Sequence, residues 1–189
     1  LDYVRGKIGE TSIPMHSYFT RVMDDASTQI VNNAQMDYVK EWINTNAPEY
    51  KNVPVLSAAA PFKGGRGGVG DYTEIKPGEV TIKSAADLYL FDNTLKAVEV
   101  NGDQVKRWLE KSAEQFKTID PNKIEPQELL DYDFRPYNYD VIDGVKYEID
   151  VTKPVGQRIV NLTLLDGTLV KNDQKFIVAT NNYRAGGSG

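Results

Sequence analysis
The sequence predicts an α+β fold, with mixed or antiparallel sheets and packed helices, and three features predict it. The order is helix first, then strands interleaved with helices, then a second half rich in strand-period runs. One segment, residues 103–116, repeats its apolar residues at helical spacing. Asp-Gly pairs at 143–144 and 166–167 divide alternating runs in the way turns between strands require.

Taken along the chain, Ile30, Ala34, Tyr38 and Trp42 recur four apart and predict an amphipathic helix over 24–44, ending before Pro48, with Asp25 or Ser27 as its N-cap. VPVLSAA (53–59) is a short apolar run that predicts a buried strand feeding a glycine-rich loop, PFKGGRGGVG. EVTI (79–82) predicts a strand. SAADLYLF (84–91) predicts a short helix opened by Ser84, and LKAVEV (95–100) a strand. Asn101-Gly102 then makes a turn, and Asp103 caps the helix in which Val105, Trp108, Leu109, Ala113 and Phe116 form one stripe. Residues 117–136, rich in Pro, Asn, Asp and Glu, read as a long loop inside the domain, because aromatic residues resume at once in FRPYNYDV. Asp143-Gly144 predicts a hairpin. RIVNLTLLDG and KFIVATN predict two further strands, the first turned by Asp166-Gly167.

With 40% apolar and 26% charged residues the chain has the composition of a globular protein, and its 189 residues suit one domain or a domain and a half; residues 1–189 are read as a single domain. No run reaches the eighteen or so apolar residues of a bilayer span, so no membrane insertion is expected. The absence of cysteine removes disulfides, thiolate metal sites and cysteine nucleophiles. A single histidine, His16, argues against a self-contained zinc or iron site. A net charge of -5 argues against a nucleic-acid polymer as partner, since such domains cluster positive charge.

Several patterns offer chemistry. Gly65, Gly67 and Gly70 satisfy G-x-G-x-x-G, but Pro77 and Gly78 follow where the dinucleotide fingerprint needs a helix to begin. What remains is a loop, 61–70, whose N–H groups with Lys63 and Arg66 can hold an anion, or which is simply solvated. His16, between Ser12 and Ser17, offers a serine-histidine reading without a nucleophile elbow around it. The acidic pairs Asp131 with Asp133 and Asp140 with Asp143 read as solvated loop charge, and the sequon at Asn161 as strand. The aromatics are more informative. Phe91 precedes Asp-Asn-Thr, and Tyr183 follows two asparagines and precedes an arginine. A large ring at a polar loop rim suits a flat heteroaromatic ligand, with core packing as the competing role.

SAAAPFKGGRGG, DLYLFDNTL, FRPYNYDVIDGVKYEIDVTKP and ATNNYRAGG, in that order after YVRGKIGE, resemble the C-terminal domain of the 5′-nucleotidase family, in its branch of bacterial 2′,3′-cyclic-nucleotide 2′-phosphodiesterase/3′-nucleotidases. The resemblance implies that hydrolysis belongs to an N-terminal metallophosphoesterase domain of the same polypeptide, with two divalent metal ions. It implies that this domain recognises the nucleoside part of 2′,3′-cyclic nucleotides and 3′-nucleotides and is inactive alone. Residues 1–23 then lead in from the catalytic domain. Residue by residue, Phe91 and Tyr183 match the two rings that clamp the base, and Arg184, Gly186 and Gly187 match the segment beside the substrate. Ser57 stands where the family tends to have asparagine, and Lys63 and Arg66 match loop positions near the domain interface. A periplasmic or secreted location is implied by the same likeness. No catalytic residue and no metal ligand is assigned to this chain. Two other readings compete: a protein- or sugar-binding interaction module, and a free-standing hydrolase using His16.

Overall fold
The computed structural model describes residues 3–188. The core is a four-stranded sheet in the order β6-β10-β3-β7. Its strands are β3 (Val55–Ala59), β6 (Leu95–Asn101), β7 (Val141–Asp143) and β10 (Lys175–Asn181). β10 runs parallel to β3 and antiparallel to β6, and β3 pairs antiparallel with β7. The sheet is therefore mixed.

β10 explains why the domain is a three-layer body. Its side chains alternate, and both sets are buried: Phe176 and Val178 join Leu56, Val105, Leu109 and Ile142 on one face, while Ile177 and Ala179 meet Val39 and Ile43 on the other. The first face is covered by α3 (Gly102–Ser112), the second by α1 (Ala26–Asn46). Burying a side chain the size of Phe176 or Leu109 contributes roughly 1.5–3 kcal/mol, and these two are 0% and 1% exposed.

Among the described residues three two-stranded sheets accompany this core. β1 (Lys7–Thr11) pairs with β5 (Gly78–Thr81), and β2 (Met15–His16) with β4 (Glu74–Ile75). β8 (Val145–Ile149) pairs with β9 (Ile159–Leu164). The segment expected as a lead-in is thus paired with later strands where it is described; Leu1 and Asp2 lie outside the described residues. Among the described residues there are two further α-helices, both short, α2 (Ile82–Leu88) and α4 (Asn182–Ala185). Among the described residues no helix is long and apolar enough to cross a membrane.

Several local expectations need correction. The helix predicted over 24–44 exists and is capped by Asp25, which accepts from the amides of Ser27 and Thr28. The wrong face was expected to be buried, however. Ile30, Tyr38 and Trp42 are exposed, and the buried face carries Ser27, Thr28, Asn32, Met36, Val39 and Ile43. The reason is that α1 meets the sheet partly through amides: Asn32 donates to the Val141 carbonyl at 3.3 Å, Gln35 to Ser57 Oγ at 2.9 Å, and Gln29 to the Asp143 carboxylate.

α2 begins at Ile82, capped by Thr81, with Ser84 inside its first turn as the reciprocal partner of a capping box rather than as the cap. It stops at Leu88, which leaves Phe91 on a loop. Asn101-Gly102 is not a turn. Asn101 caps α3, its Oδ1 accepting from Gln104 N at 2.9 Å, and Asp103 lies within the helix. Glycine is required at 102 because a Cβ there would stand 2.1 Å from the Lys171 carbonyl oxygen.

Asp143-Gly144 is not a hairpin either. β7 and β8 belong to different sheets, and Gly144, at φ 91°, turns the chain between them while its Cα presses on β3; a Cβ would lie 2.8 Å from Leu56 Cδ2. Asp166-Gly167 does turn the chain, with Gly167 N bonded to the Leu164 carbonyl at 3.0 Å. The long loop 117–136 is held in place by the buried Arg21, which donates to the carbonyls of Asp131 and Phe134.

Candidate functional site
The central sheet delivers two loops to one rim. β10 ends at Asn181, whose side chain accepts from Arg184 N at 2.8 Å and so caps the single turn α4 that carries Tyr183. β6 starts at Leu95, directly opposite Asn181, so the loop before it, carrying Phe91, arrives beside α4. Asn182 joins the two. Its N–H donates to the Thr94 carbonyl at 2.9 Å, and its Oδ1 accepts from the Thr94 amide at 2.7 Å.

Between these loops lies a cavity of about 300 Å3, lined by Ala60, Phe62, Phe91, Asn93, Tyr137 and Tyr183, with Asn181 and Arg184 at its wall. Phe91 and Tyr183 are 54% and 48% exposed, so each ring offers an uncovered surface. Phe62 packs edge-on against Phe91, ring centres 5.2 Å apart at 73°, and against Tyr89 at 4.7 Å. Phe62 therefore braces the Phe91 ring.

Phe62 and Tyr137 were not singled out as site residues in the sequence, and Asn93 and Asn181 entered only as polar neighbours of the two rings. The position of Phe62 in the quoted SAAAPFKGGRGG motif, one residue after the proline that ends the strand run, was the available signal. Tyr137 likewise lies in FRPYNYDV, a segment that carries the resemblance, and the fold brings it to this rim.

Arg184 lines the cavity, but its guanidinium is engaged inside the protein. It forms an ion pair with Asp140 at 2.7 Å and donates to the carbonyls of Tyr137 at 2.9 Å and Ser188 at 2.6 Å. Asp140 is buried and also accepts from Trp108 Nε1 at 2.7 Å. Burial pushes its carboxyl above the usual range, against the opposing pull of Arg184 and of the Trp108 hydrogen bond. Arg184 thus ties α4 to the body of the domain. Gly186 and Gly187 lie just past α4 and do not line the cavity; Gly187 instead borders a separate hollow with Trp108 and Asp140.

The remaining candidates are dispersed. Ser57 is fully buried on β3 and accepts from Gln35, a structural contact with α1. Lys63 pairs with Asp87 of α2. The glycine loop closes on itself: Gly65 N donates to the Asp71 carbonyl and Gly67 N to the Asp71 carboxylate, so two N–H groups of the anion reading are already taken. Arg66 is exposed on that loop. His16 stacks on Tyr18, ring centres 4.8 Å apart, and among the described residues it makes no hydrogen bond to a serine or carboxylate. No group of three or more His, Cys, Asp or Glu among the described residues is placed to hold a metal ion. A larger hollow of about 450 Å3 between α1 and α2 shares Asn93 and Asn181 with the ring cavity, but no charged side chain lines it.

Comparison with known proteins agrees with this architecture. The chain is 48% identical over its whole length to a trifunctional nucleotide phosphoesterase of Bacillus subtilis, of which it covers 14%. Over 97% of its length it is 46% identical to the 2′,3′-cyclic-nucleotide 2′-phosphodiesterase/3′-nucleotidase of Yersinia enterocolitica, covering 30% of that protein. It spans less than a third of the length of either relative. In fold it is similar to a 5′-nucleotidase precursor from Thermus thermophilus, with TM-score 0.69 and 16% identity over 99% of this chain and 31% of that one. NAD nucleotidase from Haemophilus influenzae gives TM-score 0.66 and 20% identity over 98% of this chain and 30% of that one. Residues 7–189 match the model of the 5′-nucleotidase C-terminal domain, and the chain belongs to that family.

Proposed function
We propose that this domain recognises the nucleoside part of 2′,3′-cyclic nucleotides and 3′-nucleotides, with the base held between Phe91 and Tyr183, and that hydrolysis is performed elsewhere in the same polypeptide by a metal-dependent domain. The observation that carries the reading is the cavity of about 300 Å3 with one half-exposed ring on each of the two loops that meet at its rim. A base stacked on such rings gains about 1–3 kcal/mol per base, with little preference among bases because each has a π-face. Asn93 and Asn181 supply donors and acceptors to the same wall. The relatives support it too, since two proteins similar in sequence are named as a nucleotide phosphoesterase and a 2′,3′-cyclic-nucleotide 2′-phosphodiesterase/3′-nucleotidase.

In this division of labour the chain's residues bind and orient. Phe62 braces Phe91, Asn181 and Asn182 hold the turn bearing Tyr183, and Arg184 closes the rim from behind. Holding the base fixes the distance between the phosphate and the reacting groups of the other domain, which is how binding remote from the chemistry lowers a barrier.

The test is a titration of this chain with adenosine and 3′-AMP, followed by NMR shifts, beside Phe91→Ala and Tyr183→Ala. Saturable binding that disappears in both variants is the expected result. Binding that survives both substitutions undiminished, or none by folded wild type at millimolar ligand, would overturn the reading.

A further inference from the structure
A flat slot is only as selective as its gap, and here the two walls come from loops 92 residues apart in sequence (183 − 91). α4 has four residues, far too few to be stable as a helix by itself. Its position, and with it that of Tyr183, must be imposed from outside. Three contacts impose it. Asn181 caps the turn, the Arg184–Asp140 pair anchors its far side, and Asn182 clasps Thr94 of the opposite loop through two hydrogen bonds. Of these, the Asn182 clasp alone connects the loop that carries Tyr183 directly to the loop that carries Phe91. Thr94 is three residues from one ring, and Asn182 is adjacent to the other.

From this geometry we propose that Asn182 is a positioning residue that sets the gap between Phe91 and Tyr183, the two walls of the slot. It points no atom at the ligand in this role and lies outside the cavity lining. Its side chain acts as an acceptor only, through Oδ1, toward the Thr94 amide. That feature makes the idea testable, because aspartate retains an acceptor at the same place and alanine does not. Asn182 is exposed, so neither substitution disturbs the core.

The inference rests on the nucleoside reading for its ligand but not for its geometry, and the experiment separates the two. Adenosine is titrated into wild type, Asn182→Ala and Asn182→Asp, and amide hydrogen exchange is measured at Thr94 and Arg184 in all three without ligand. The expected result is binding weakened about tenfold in Asn182→Ala, the size of one net hydrogen bond, with recovery in Asn182→Asp. Exchange at both amides should rise in the alanine variant and return in the aspartate variant. If wild type binds and Asn182→Ala binds equally well, the positioning role is wrong, whatever the exchange shows. If wild type does not bind adenosine, the nucleoside reading fails, and exchange alone decides: unchanged protection at Thr94 and Arg184 in Asn182→Ala overturns the clasp, and faster exchange upholds it.

Discussion
Replacing Arg158 with methionine should destabilise the domain strongly, although the residue lies outside its apolar core. The guanidinium is 1% exposed and serves as a donor hub. Nη1 reaches the carbonyls of Ala113 and Phe116 at 2.8 and 2.6 Å, Nε the carbonyl of Lys153 at 3.0 Å, and Nη2 the hydroxyl of Thr118 at 2.9 Å. The first two bonds are buried and satisfy carbonyls at the end of the helical segment that continues α3. Methionine fills a similar volume but donates nothing. Water can reach the partly buried Lys153 and Thr118 groups, so only the two buried bonds are counted. At about 1.5–3 kcal/mol for a hydrogen bond to a charged group, the loss is about 3–6 kcal/mol. A domain of this size has only about 5–15 kcal/mol to lose. In urea, with a slope of about 1–3 kcal/mol per molar, the unfolding midpoint should fall by about 2 M. Arg158→Lys, keeping one donor group, should fall in between. A loss below about 1.5 kcal/mol with an unchanged slope would show that the helix-end carbonyls find other donors, and the hub argument would be wrong.

Two further outcomes follow from the same structure. Burial raises the Tyr139 hydroxyl well above its ordinary range and pushes Tyr147 up to about 12. The folded protein therefore keeps these protons while the unfolded chain gives them up near pH 10. Stability is intact below about pH 10 and falls toward pH 12 by about 1.4 kcal/mol per pH unit for each tyrosine; urea unfolding across that window, with Tyr147→Phe halving the slope, checks it. At the start of α3, Asn101→Ala should cost about 1 kcal/mol through loss of the cap, whereas Asp103→Ala, which removes only a surface pair with Arg107, should cost no more than a few tenths. Equal losses in a paired thermal or urea unfolding measurement would mean that the capping role is misassigned.

Which features were legible in the sequence follows from how local each one is. α3 could be read because its signals are local: an apolar stripe and a polar residue before it, misplaced by only two positions. The existence of α1 was legible for the same reason, but its buried face was not. Asn32 and Gln35 look solvent-bound in a sequence, and only the positions of β3 and β7 convert them into contacts with Ser57 and Val141. The Asp-Gly at 143–144 has the local signature of a hairpin. What decides its role is Leu56, far away in sequence, which demands glycine for closeness and leaves the chain to change sheets. At the site, Phe91 and Tyr183 were singled out by polar neighbours and by motif resemblance, and the fold places both at one cavity. Phe62 and Tyr137 join them through loop packing that no periodicity encodes. Arg184, matched to the segment beside the substrate, lines that cavity too, while its guanidinium pairs with the buried Asp140.

The position of β10 affects how the domain comes into being. Among the described residues, the strand that joins β3 to β6 inside the sheet follows all the other strands in sequence, and α4 with Tyr183 comes directly after it. During synthesis, β3 and β6 wait without a common neighbour until residues 175–181 have left the ribosome, and pairings of such long sequence separation close slowly. The event that brings Phe176, Ile177, Val178 and Ala179 into the interior is the same one that delivers the second ring. A product interrupted before β10 would lack the slot together with the sheet's centre, leaving open strand edges and exposed apolar surface of the kind that chaperones and proteases recognise.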